Sequence, residues 1–287
     1  MTMELLSGMQ VLQSGGSNVV VIKLGGSALT DKSRGSGGVR AEVLENVASD
    51  LRYLRSRGFS VVLVTGGGYE AHKLAKEYGL GCKYVDSSRF SGAILTHIAA
   101  ANLCEYVCKY LCERGIAASP LHPFSMTVLC GCNVEYFPID VVEQLLVKGV
   151  VPVLHGDVCL DREYNFSILS GDDIVKYLCN VLLGVRCCIF LMDVPGILRD
   201  SGDEIYSTIY VSELDSVVHE VMSRGGTDKT TVVDVTGGIR KKLYVARDIA
   251  RRGIPVYFAS GFRKGVLRLI VDGLGTAGKD FTVVIPQ

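Results

Sequence analysis

Five short, almost unbroken apolar runs, rich in β-branched residues, recur along the chain at 19–24, 61–65, 150–155, 187–193 and 255–260. A strand covered on one face alternates apolar and polar residues, whereas a strand buried on both faces reads as continuous hydrophobicity. Between these runs lie amphipathic stretches at 41–57, 69–78, 91–114, 172–183 and 238–252, with apolar residues at helical spacing. Strand–helix alternation of this kind predicts an α/β fold, an αβα sandwich around a mainly parallel open sheet. The 287 residues suffice for one large α/β domain or two closely joined lobes. A boundary is expected near residue 170, dividing 18–169 from 170–287, with 1–17 as a loose N-terminal extension.

Composition excludes several classes. The formal net charge is zero, which argues against a nucleic-acid or anionic-membrane partner. No apolar run reaches the roughly 18–20 residues of a membrane helix, and the first seventeen residues lack the basic start of a signal peptide. Ten cysteines without a Cys-x-x-Cys pair point to reduced thiols and a cytoplasmic location. Cys104, Cys108 and Cys112 fall on one helix face, where packing as small apolar residues is favoured over a thiolate metal site.

Three glycine-rich loops follow predicted strands or open predicted helices. They are Lys23-Leu24-Gly25-Gly26-Ser27, Gly66-Gly67-Gly68, and Thr236-Gly237-Gly238 ahead of Lys242. Glycines let the backbone approach an anion, and free N–H groups at a helix start bind it. One such loop is usually only a turn; three at strand ends of an open sheet predict a phosphate site. Lys23, Lys32 and Lys242 sit beside these loops. Lys23 ends an apolar strand, where a cation needs an anionic partner. Ser170-Gly171-Asp172-Asp173 reads as a Ser/Asp helix cap, or as acids that hold lysines in position or bind magnesium water. His72 is placed in the first turn of the helix after the triple glycine, within reach of a bound phosphate. A near P-loop at 273–280 ends in Asp280 and leaves no room for a following helix, so it is rejected.

In this order the motifs resemble the amino acid kinase superfamily, and within it the isopentenyl phosphate kinases. IKLGGSALTDK (22–32), VPVLHGDVCLD (151–161), ILSGDDIVKYL (168–178), LMDVPGIL (191–198) and DVTGGIRKKL (234–243) carry the resemblance. It implies an ATP-dependent transfer of phosphate to isopentenyl phosphate, with magnesium (Mg2+) on the nucleotide, in a cytoplasmic homodimer. Residues 18–169 become an acceptor-binding lobe and 170–287 a nucleotide-binding lobe. ATP is assigned to Lys23, Gly25, Gly26, Ser27, Gly68, Asp193, Gly238 and Lys242. The acceptor is assigned to Gly67, His72 and Gly171. Lys32 is assigned to the transition state, and Asp173 to organising the lysines. The family's usual His-Gly-Gly-Gly-Ser-Phe-Gly-His is here Thr65-Gly66-Gly67-Gly68-Tyr69-Glu70-Ala71-His72. Glu70 brings a carboxylate toward a phosphate site, which keeps open a kinase of another small phosphate or phosphonate. A non-catalytic nucleotide binder is the third reading. The acceptor's apolar tail is expected against the helix at 90–111 and the segment 124–129, with Phe90, Ile94 and Ile98 as candidate lining, though plain core is favoured for them.

Overall fold

The structure, a computed structural model, describes residues 18–31, 38–199, 204–223 and 238–287. Strand β1 (Val19–Leu24) runs into the one-turn helix α1 (Gly26–Leu29), and a short ribbon of β2 (Thr30–Asp31) and β3 (Gly38–Val39) follows. Helix α2 (Ala41–Ser56) leads back to β4 (Ser60–Thr65), from which α3 (Gly68–Glu77) and the long α4 (Phe90–Cys112) depart. Beyond β5 (Ala118–Pro120) come α5 (Pro123–Met126), β6 (Val128–Cys130), β7 (Asn133–Tyr136) and α6 (Ile139–Val147). Next are β8 (Val151–His155) and the hairpin of β9 (Asp157–Asp161) with β10 (Asn165–Leu169). The chain continues through α7 (Gly171–Val181), β11 (Val185–Met192), β12 (Thr208–Tyr210) and α8 (Leu214–Ser223). It closes with α9 (Gly238–Ala250), β13 (Val256–Ser260), α10 (Val266–Asp272) and β14 (Phe281–Ile285).

Eight strands form one sheet in the order β12-β14-β13-β11-β1-β4-β8-β5, and β13–β14 is its one antiparallel pairing among the described residues. The period of two sends alternate side chains to opposite faces. Val19 and Val21 join Val62, Val64 and Phe190 in a core beneath α6, α7 and α9. Val20, Ile22 and Leu24 join Leu63 and Ile189 in a second core beneath α2, α4 and α10. Ile22, Leu24 and Phe190 lose all exposure, each worth about 1.5–3 kcal/mol of burial. Two covered faces explain why the central strands are unbroken apolar runs.

Beside this sandwich, β10-β9-β6-β7 form a small sheet. Strands β6 and β7 form an antiparallel hairpin, and β6 joins β9 in parallel. Residues 204–223 supply β12, which pairs with β14, and α8; 200–203 and 224–237 lie outside the described residues. Cys82 and Cys132 form a disulfide, contrary to the expectation of wholly reduced thiols. They are 50 residues apart, and the chain between α3 and α4 brings them together at the β6–β7 turn, so spacing alone gave no warning. Cys104 and Cys108 are buried and Cys112 is exposed. No group of three metal-ligating side chains occurs among the described residues.

Candidate active site

Because β1, β4, β8 and β11 are parallel, their C-terminal ends share one edge of the sheet. The loops leaving that edge enclose a cleft of about 820 Å³. Lys23, Gly25, Gly26 and Ser27 line it from β1, Gly66, Gly67, Gly68 and His72 from β4 and α3, and Gly171 and Asp172 from α7. Asp193, Gly238 and Lys242 complete the far end. Thr236 and Gly237 of the third glycine loop lie outside the described residues, as does Lys32.

Loop packing leaves no room for side chains at the centre. A Cβ on Gly171 would come 2.5 Å from Lys23 Cε and 3.0 Å from the Thr65 carbonyl. At Gly68, φ is +81° and a Cβ would strike Leu103 at 2.6 Å. Glycine is therefore required both by conformation and by space. Helix α3 opens at Gly68, so His72 is its fifth residue, one position past the first turn where it was expected.

The lysines meet on a single carboxylate. Lys23 is only 4% exposed, and its Nζ lies 3.7 Å from Asp172 Oδ1. Lys242 Nζ donates to Asp172 Oδ2 at 3.1 Å. Burial pushes the Asp172 pKa up, but Lys23, then Lys242, pull harder and hold it below the ordinary carboxylate value. Two ammonium groups sharing one carboxylate leave a net positive charge at the cleft floor.

Asp173, expected to organise the lysines, pairs with Lys241, whereas Lys23 and Lys242 contact Asp172. Asp173 accepts from the Ser170 hydroxyl at 2.7 Å and from Lys241 at 2.7 Å, and it does not line the cleft. Ser170 caps α7 by accepting from the Asp173 N–H, so position N3 is drawn into the cap while N2, Asp172, faces the lysines. Ser27 Oγ donates to Asp193 Oδ1 at 3.1 Å, linking the first glycine loop to the end of β11.

Lys73 and Lys76, not singled out in the sequence, line the cleft with Tyr69 and His72. Their spacing along α3, about one helical turn from Tyr69 and from each other, was the available signal. Glu70 is exposed and lies outside the lining, so its carboxylate does not confront a phosphate there. Ile94 and Ile98 are 44% and 46% exposed; the cleft face of α4 is Thr96 and Ala100. Of the three candidates, Phe90 packs against a small core with Val158 and Phe166, whereas Ile94 and Ile98 are neither lining nor core, because the small residues of α4 face inward.

The Amino acid kinase family pattern matches residues 18–260. Isopentenyl phosphate kinase of Haloferax volcanii is 34% identical over 240 residues, covering 84% of this chain and 90% of the relative. Isopentenyl phosphate kinase of Arabidopsis thaliana is 28% identical over 293 residues, covering 83% and 85%. The T. acidophilum isopentenyl phosphate kinase product complex superposes with a TM-score of 0.68 at 24% identity, covering 93% of this chain and all of that one, which shows the common fold. By fold, by the extent of the match and by identity to its relatives, this chain belongs to the amino acid kinase family, among the isopentenyl phosphate kinases.

Proposed function

We propose that the chain transfers the γ-phosphoryl of ATP to isopentenyl phosphate, giving isopentenyl diphosphate and ADP. The observation that carries this is the junction of Lys23 and Lys242 on Asp172, in one cleft with the Gly67–His72 helix start. The kinship with isopentenyl phosphate kinases supplies the acceptor.

The reaction needs no protein base. A phosphomonoester has its second pKa near 6, so the attacking oxygen is ionised near pH 7. In-line placement and charge neutralisation are what the protein supplies. Gly25, Gly26, Ser27, Gly68, Gly238 and Asp193 hold the ATP end, and Lys23 and Lys242 draw charge from the transferring group. Gly67, Gly171 and His72 hold the acceptor phosphate, and Lys32 serves the transition state by the resemblance. Asp172 takes the organising role first given to Asp173. Magnesium, bound together with ATP, would add positive charge at the nucleotide end. No direct protein ligand is proposed, since Asp172 is engaged by lysines and Asp193 by Ser27.

The division into 18–169, mainly for the acceptor, and 170–287, mainly for the nucleotide, is proposed as well, with the cleft drawing residues from both. A homodimer is proposed too, and exposed Ile94, Leu95 and Ile98 on α4 support self-association. No described helix is long and apolar enough to cross a membrane; a cytoplasmic setting is part of the proposed reading.

The test is ADP release with isopentenyl, dimethylallyl and geranyl phosphates beside a phosphonate panel. Turnover is expected with isopentenyl phosphate. Turnover with a phosphonate alone would replace the acceptor, and ATP binding without turnover on any acceptor would overturn the kinase.

A further inference from the structure

Behind the acceptor end of the cleft lies a polar cluster that the transfer chemistry does not use. Asp157 opens β9, and its side chain has no solvent exposure. Its carboxylate accepts from the Phe124 N–H at 3.0 Å and the Val158 N–H at 2.9 Å. His97 Nδ1 on α4 lies 3.0 Å from both of its oxygens. A carboxylate only accepts, so His97 carries its proton on Nδ1. His155 Nε2 stands 3.7 Å from the same group and meets His122 Nδ1 at 3.0 Å. His97 also stacks on the Phe124 ring with centroids 4.4 Å apart, and Phe124 stacks in turn on Phe166.

The neighbour on the cleft side is Gly156. A Cβ there would come 2.9 Å from the Gly171 nitrogen, and the Gly156 carbonyl lies 3.3 Å from a Cβ built on Gly67. The peptide before Asp157 is therefore wedged between the two glycine turns of the acceptor end. Asp157 itself reaches the cleft wall, which it lines together with Val158, Thr96 and Ala100.

We infer that Asp157 is a positioning residue for the acceptor, acting through His97. By tying α4 and the start of α5 to β9, it sets the wall against which the acceptor's tail packs and steadies Gly156 between Gly67 and Gly171. Buried carboxylates are costly unless fully hydrogen-bonded, and here every partner belongs to an element of that wall. The inference rests on the reading that the Gly67–His72 end takes the acceptor.

The experiment compares wild type, His97→Ala, His97→Asn and Asp157→Asn in steady-state assays varying isopentenyl phosphate and ATP separately, with thermal unfolding alongside. His97→Ala is expected to raise the acceptor KM about fivefold, with the ATP KM within about twofold of wild type. His97→Asn keeps an N–H donor near the Nδ1 position and is expected to recover most of the loss. Asp157→Asn turns an N–H₂ toward two donors and is expected to exceed His97→Ala in its effect; if it does not fold, the His97 pair decides alone. An unchanged acceptor KM in His97→Ala, both KM values rising together, or no recovery in His97→Asn would overturn the inference. If wild type itself fails to turn over isopentenyl phosphate, the acceptor assignment fails. The same comparison on whichever acceptor wild type does turn over then decides the inference by the same criteria.

Discussion

Asp172 and Asp173 are adjacent in sequence, yet about 100° of helix rotation separates them. One is buried between Lys23 and Lys242, and the other shares a cap with Ser170 and a surface pair with Lys241. Removing the charge at Asp172 deletes one partner of a buried ion pair with Lys23, a change that costs about 3–5 kcal/mol where nothing else compensates the remaining charge. Asp172→Asn is expected to lower kcat by about two orders of magnitude and to lower the melting temperature, with bound ATP restoring part of the stability. Asp173→Asn is expected to cost about 1 kcal/mol of cap stability while kcat stays within about twofold. Kinetics and thermal unfolding on the two variants distinguish them; equal losses would return the organising role to Asp173. The lysine at the end of an apolar run was legible because a buried cation demands a partner. Which of two neighbouring acids answers it was not, because that depends on helix phase set by the Ser170 cap.

At the scale of elements, legibility followed burial. The central strands β1, β4, β8, β11 and β13 announce themselves because both of their faces are covered. The small sheet does not, since β7 is largely exposed and β6 has three residues. What shapes that sheet is one carboxylate. Asp161 accepts from the N–H groups of Gly131, Cys132, Glu163 and Tyr164 and from the Ser167 hydroxyl. Burial pushes its pKa up, but the Ser167 hydroxyl and the backbone N–H groups outweigh that and hold it down at about 2, against an ordinary 3.8. A depressed folded value means the unfolded chain binds the proton first, so this stabilisation is complete above about pH 4 and lost as pH falls through about 2. It amounts to about 2 kcal/mol at neutral pH. Urea unfolding of Asp161→Asn from pH 7 to pH 2 is expected to show a deficit against wild type that shrinks by this amount below pH 4. A deficit independent of pH would assign the residue's role to hydrogen-bond geometry without charge. The histidines around Asp157 were equally illegible, because His97, His122 and His155 come from three separate segments.

For the molecule as a whole, the decisive feature is that one cleft receives contributions from both halves of a continuous sheet. Strands β1 and β11 pair along the centre of the sheet, and Lys23 of β1 sits opposite Phe190 of β11. The glycine turns from β1, β4 and α7 lie within van der Waals contact of one another, so the nucleotide and acceptor ends adjoin without a partition. At the junction the lining offers lysines, backbone N–H groups and the hydroxyls of Ser27, Thr30 and Ser170. Thr30 Oγ1 donates to the Gly26 carbonyl, and Ser170 Oγ is engaged by Asp173. Ser27 and Ser170 donate to the carboxylates of Asp193 and Asp173, so a base lies beside each of them, whereas the contact between the glycine turns lets both substrates bind side by side. Direct transfer between two substrates bound together is the expected route, so initial velocities measured at several ATP and isopentenyl phosphate concentrations should give intersecting reciprocal plots. Parallel lines, or ADP release equimolar with enzyme in the absence of acceptor, would indicate a covalent intermediate and overturn direct transfer. Intersecting lines with inversion of configuration at a chiral γ-phosphorus would place both substrates in the cleft at the moment of reaction, as the contact between the glycine turns requires.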